Sequence, residues 1–144
     1  MHPKSRTQIK GGDYPVVALL RVSSSGQAEV QHGSLEQQRN AIIKKVRELS
    51  ERTGKNYHIV EFIEVDISAK KENTKNRKDL ERVEFLIKNG IARVVFVDRS
   101  DRLSRDLAYN CRFVDMMLEY EGEYYEVETG RVDFNDEAQY FSFV

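Results

Sequence analysis

A chain of 144 residues, 40% hydrophobic and 33% charged, has the size of one domain and enough apolar side chains to build a core without disulfides or metal. A single cysteine, Cys111, excludes an internal disulfide, and His2, His32 and His58 are too scattered for metal-ligand spacing. The net charge of −1 conceals an asymmetry: residues 1–65 hold ten basic and seven acidic side chains, residues 66–105 eleven and seven, and residues 106–144 two and ten, so a cationic face for a polyanion is compatible with a near-neutral total.

The first thirteen residues, MHPKSRTQIKGGD, are polar and lack the apolar segment of a signal peptide, which predicts a flexible arm. No apolar run approaches the roughly 20 residues needed to span a bilayer, and the expectation is a soluble, cytoplasmic protein with no membrane partner. Residues 14–22, YPVVALLRV, read as a buried strand. Residues 34–54 place Leu35, Ile42, Val46 and Leu49 on one helical face, with Ser34 as N-cap and Gly54 as stop. A second strand follows at 58–65, then a polar, basic loop at 66–78, DISAKKENTKNRK, longer than a simple turn. A helix at 80–90 ending on Gly90, a strand at 93–97 and a helix at 104–122 ending on Gly122 continue the alternation. In that last helix Leu107, Cys111, Val114 and Leu118 recur at helical spacing, which predicts a buried face with Cys111 as a small apolar residue. Residues 124–128 and 131–134, separated by Thr129 and Gly130, read as a closing hairpin. The whole predicts a three-layer α/β/α domain: a mostly parallel sheet of four to five strands, joined by right-handed crossovers, with an antiparallel edge strand.

In such sheets ligands bind outside the carboxyl ends of the strands. The segments expected there are 21–27, 66–78 and 98–106, and all carry arginine, serine or acidic residues. Arg21 ends the first strand, Arg77 lies at the exit of the basic loop, and Arg102 and Arg105 stand three apart at a helix start. Four guanidiniums there could surround one phosphate, because the planar fork binds its oxygens bidentately and keeps its charge. Local readings compete with this one. Asp101 can cap a helix and pair with Arg105, and Ser23, Ser24, Ser25 and Gly26 fit any polar turn. On these residues alone a non-catalytic module binding phosphate, nucleotide or nucleic acid stands beside an enzyme. A receiver-like domain built on Asp98 lacks the lysine it needs on a later strand.

The order of the pieces resembles the catalytic domain of the serine recombinases, the resolvase, invertase and serine integrase family. The similarity rests on Arg21-Val22-Ser23-Ser24-Ser25-Gly26-Gln27 after the first strand and on Ser34-Leu35-Glu36-Gln37-Gln38 at the first long helix. It continues with Asp66 and Asn73-Thr74-Lys75-Asn76-Arg77, and with Asp101-Arg102-Leu103-Ser104-Arg105-Asp106. Where the family has Ser-Gly in its loop this chain has Ser68-Ala69, displaced toward the strand. The resemblance implies that Ser23 is a nucleophile toward a DNA phosphodiester, giving a 5′-phosphoserine link and a free 3′-hydroxyl. Arg21, Arg77, Arg102 and Arg105 would hold the scissile phosphate. Asp101 would either protonate the leaving oxygen or orient Arg105, and Gln27 and Gln38 would position the loop and the phosphate. It further implies double-stranded DNA at a recombination site as partner, a homodimer and synaptic homotetramer in the full-length protein, no cofactor, no metal and no small-molecule substrate. Residues 14–134 would then be the catalytic domain. The ending NDEAQYFSFV, capped by Asn135 or Asp136, would begin a truncated dimerisation helix over 135–144.

Overall fold

The computed structural model describes residues 11–22, 34–66, 74–98 and 107–144, the side chains of Asp66 and of residues 74–77 excepted. The elements are β1 (Asp13–Val22), α1 (Leu35–Thr53), β2 (Asn56–Asp66), α2 (Thr74–Lys88), β3 (Val94–Val97), α3 (Leu107–Glu119), β4 (Glu123–Glu126), β5 (Gly130–Val132) and α4 (Glu137–Phe143). The five strands form one sheet in the order β2-β1-β3-β4-β5. The pairs β1–β2, β1–β3 and β3–β4 run parallel, and β4–β5 antiparallel.

Strand β1 is apolar on both sides because both its faces are covered, as expected for a central parallel strand. Its even-numbered residues Tyr14, Val16, Ala18 and Leu20 pack with Ile42, Val46 and Leu49 of α1. Its odd-numbered Val17 and Leu19 pack on the other face with α2, α3 and α4, through Leu80, Val83, Phe113, Val114 and Phe143. Three layers result. In β2 a bulge opposite Val16/Val17 leaves Val60 without a partner in the ladder. Tyr57 and Ile59 therefore face the α1 side while Ile63 and Val65, also odd-numbered, face the other; the bulge absorbs one residue and exchanges the faces.

Local chemistry explains the helix ends. Ser34 Oγ accepts from the Gln37 N–H at 3.1 Å and Gln37 Oε1 accepts from the Ser34 N–H at 2.9 Å, a reciprocal cap. Gly54 ends α1 at φ 73°, where a β-carbon would be strained. Three expectations are corrected. Helix α2 begins at Thr74, within the expected loop, because TKNRK continues the helix as an all-polar turn before its first buried residue, Leu80; of that loop, residues 67–73 lie outside the described residues. The core face of α3 is Tyr109, Asn110, Phe113, Val114, Met116 and Met117, whereas Leu107 and Leu118 are exposed and Cys111 is half-buried. The aromatic and methionine side chains carry more apolar surface than the leucine stripe and so win the interior. After α3 it is Glu121 that takes positive φ, at 54°; Gly122 serves close packing, since a β-carbon there would meet Met117 Cε at 2.8 Å. In α4, Phe143 is buried among Phe113, Tyr124 and Phe134, while Phe141 projects.

No described helix is long and apolar enough to cross a membrane.

Candidate active site

β1 sends its connection to β2 on one side, and β3 adds on the other. The chain therefore reverses its direction of growth between β1 and β3, and such a switch point, at the carboxyl ends of the strands, is where sheets of this kind bind ligands. The pairing of β3 with β1 stops at Leu19–Val97. Arg21 lies two residues beyond it, still paired to Val65 of β2 but past the last β3 partner.

An amide side chain takes up that position. Gln38, only 1% exposed, accepts from the Arg21 N–H through Oε1 at 2.8 Å and donates through Nε2 to the Arg21 carbonyl at 2.9 Å. One side chain thus pairs both backbone groups of Arg21, as a neighbouring strand would. It can do so because Gln38 continues the buried stripe of α1, with Ile42 and Val46 one and two turns on, and because the Ser34–Gln37 cap fixes the first turn from which it projects. Arg21 is itself 4% exposed. By strand parity it belongs to the face of Val17 and Leu19, toward α2 and α3. Holding a guanidinium there demands compensating acceptors or anions, since an uncompensated buried charge is costly.

Around this point stand the end of β3, where Asp98 is half-buried, and the first turn of α2, whose backbone includes Arg77. The structure brings Arg21 and Gln38 together; the side chain of Arg77 and all of Ser23, Gln27, Asp101, Arg102 and Arg105 lie outside the described residues. Arg77 is corrected in one respect: it sits inside a helix rather than at the exit of a loop. Sequence motifs missed Glu126, a carboxylate 6% exposed at the carboxyl end of β4, which accepts from Thr129 Oγ1 at 2.5 Å. The strand expected over 124–128 put Glu126 at its middle, and only the structure ends β4 there, beside Val97 of β3. Among the described residues no cluster of three His, Cys, Asp or Glu could hold a metal.

At the opposite, amino end of the sheet lies a second polar cluster. Tyr57 and Tyr125 both donate to Glu123 Oε1, at 2.8 and 3.0 Å, and Arg131 approaches the other carboxylate oxygen at 3.9 Å. Burial, then the hydrogen bonds to Tyr125 and Glu123, hold the Tyr57 phenol far above its ordinary value. Burial likewise raises Tyr125. This cluster ties β2 to β4 across the sheet, remote from Arg21.

Two solved structures share the fold. The N-terminal catalytic domain of TP901-1 integrase superposes with a TM-score of 0.57 at 18% identity, over 88% of this chain and 86% of that one. A resolvase family site-specific recombinase from Streptococcus pneumoniae gives 0.58 at 23% identity, over 87% and 79%. No curated protein matches the chain. The model of the Resolvase N-terminal domain matches residues 16–142, a span that runs from β1 to α4 and takes in the switch point, and by that match the chain belongs to the resolvase family.

Proposed function

We propose that this domain is the catalytic part of a site-specific DNA recombinase and that Ser23 is its nucleophile. The observation that carries the reading is the clamp of Gln38 on the backbone of Arg21, two residues before Ser23. A buried cation fixed at a strand end, at the switch point of a parallel sheet, is what a preorganised phosphate site requires. In the proposed step Ser23 Oγ attacks phosphorus, the bond to the 3′ oxygen breaks, and a 5′-phosphoserine ester forms. The serine proton is lost, and the leaving 3′ oxygen gains one. Asp101 serves either as that acid or as the orienter of Arg105. Arg21, Arg77, Arg102 and Arg105 stabilise the charge on the pentacoordinate phosphorane and draw Ser23 toward its alkoxide. Gln27 positions the serine loop. Rejoining is the reverse reaction with a new 3′-hydroxyl, so the ester conserves the bond energy and neither ATP nor a metal is required.

Residues 14–134 form the catalytic unit in this reading, 1–13 an arm, and 135–144 the start of the helix that pairs subunits. The homodimer and synaptic homotetramer are supported by the apolar surface that Leu107, Leu118 and Phe141 expose on α3 and α4, Phe141 at 64%. Work on DNA places the protein in the cytoplasm.

The test needs no knowledge of the target. Protein carrying this domain is incubated with a library of randomised duplexes in EDTA, denatured, and assayed for DNA that stays attached. Wild type is expected to retain DNA by its 5′ end, and Ser23→Ala to retain none while still binding DNA before denaturation. Ser24→Ala should retain it. An adduct that persists in Ser23→Ala, or that forms only with a divalent cation, overturns the mechanism.

A further inference from the structure

Helices α2 and α3 pack on the same face of the sheet, and each adjoins an arginine of the proposed site. Arg77 lies in the first turn of α2, and the chain enters α3 directly after Arg102 and Arg105. Apolar packing holds the two helices, through Leu80, Val83 and Ile87 of α2 and Tyr109 and Phe113 of α3. Such packing is non-directional, and Leu80 is the first buried residue among the described side chains of α2. A directional contact joins the helices as well. Tyr109, 5% exposed, donates from its hydroxyl to Glu84 Oε2 at 3.2 Å. The other carboxylate oxygen of Glu84 faces Lys88 Nζ at 3.7 Å, one turn on, and the guanidinium of Arg112 lies over the Tyr109 ring at 5.6 Å.

We propose that Tyr109 and Glu84 are positioning residues of the recombination site: their hydrogen bond fixes how far α2 slides along α3, and so sets Arg77 against Arg102 and Arg105 around one phosphate. This role rests on the recombinase reading above. Residues 77 and 84 stand seven apart on α2, two turns and about 10 Å along the same side of the helix, so a shift at Glu84 is carried rigidly to Arg77. Beside the other helix, Tyr109 follows Arg105 by four residues in the sequence. The pair does not meet the phosphate; it acts through the arginines. A misplacement of about 1 Å can cost on the order of a hundredfold in rate. The bond itself is long for a phenol on a carboxylate, and its share in stability is correspondingly small.

Protein carrying this domain is assayed for adduct on saturating randomised duplex, at a temperature where every variant is folded by circular dichroism. Tyr109→Phe keeps the ring and loses the hydroxyl; it should form adduct about tenfold more slowly than wild type, with unchanged affinity for DNA. Glu84→Leu should do the same, and the double variant should be no slower than either, since both changes remove one bond. Glu84→Gln still offers the phenol an oxygen and should stay within about twofold of wild type. Without DNA, amide hydrogen exchange across residues 78–84 should quicken about fivefold in Tyr109→Phe, with that of β1 unchanged. Tyr109→Phe at the wild-type rate, single losses that multiply in the double variant, or Glu84→Gln as slow as Glu84→Leu would each overturn the pairing. So would a Tyr109→Phe that weakens DNA affinity and leaves the saturated rate intact, and so would unchanged exchange in α2, whatever the DNA assay gives. Wild type that forms no adduct is a different failure: it sinks the recombinase reading and the role of the pair with it, while the exchange result still shows whether Tyr109 couples the two helices.

Discussion

Arg21 and Gln38 are 17 residues apart in the chain and share two hydrogen bonds. Gln38→Leu keeps the volume and removes both partners from buried peptide groups, so it should cost about 1–3 kcal/mol for each group left unsatisfied, read from chemical denaturation. Adduct formation should fall more than stability does, because the strand end at Arg21, two residues before Ser23, loses its anchor. The motif containing Gln38 was legible in the sequence, although its place in the buried stripe of α1 was not drawn from it. Its docking on a backbone rather than on a ligand was not legible, since that depends on where β3 stops pairing. Tyr57 was invisible for a similar reason, because its partners Glu123 and Tyr125 come from the far side of the sheet. Its raised value has a consequence in alkali. The unfolded phenol ionises near pH 10 and the folded one later, so the stability held by the neutral phenol is whole below pH 10 and lost as pH climbs above it. The unfolding midpoint should drop above pH 10, and less steeply in Tyr57→Phe, which gives up its bonds to Glu123 at neutral pH in exchange. An equally steep loss in Tyr57→Phe would remove Tyr57 as the cause.

Among the elements, α1 was readable to within a residue because its signals are local: a serine cap, an apolar stripe and a terminal glycine. Ser34→Ala should cost about 1 kcal/mol through loss of the cap. The start of α2 was not readable, because its first turn has no apolar residue to set a period. The phase of α3 misled because two apolar stripes coexist, Leu107–Leu118 and Tyr109–Met117, and only packing against Tyr124 and Phe143 decides between them. Helix α4, although seven residues long, is fastened by Phe143 in the core. Phe143→Ala is expected to destabilise the whole chain by about 3 kcal/mol, seen as a single shifted thermal transition. Loss of α4 helicity alone, with the main transition unmoved, would mean that the helix is only an appendage.

For the molecule as a whole, alternation of strands and helices was enough to anticipate the mostly parallel sheet, since crossover geometry leaves few choices. The bulge in β2, which changes which residues face which layer, has no sequence signal beyond an ordinary apolar run. The order β2-β1-β3 places the Arg21 strand end at the switch point, and the central claim is that chemistry at this point is covalent and passes through Ser23. The most direct test is to digest the DNA-retaining species with protease and nuclease and locate the modified residue by mass spectrometry. A nucleotide phosphate on Ser23, in a peptide beginning with Val22 after tryptic cleavage at Arg21, is the predicted result; the same mass on Ser24, Ser25 or any residue other than Ser23 would contradict it.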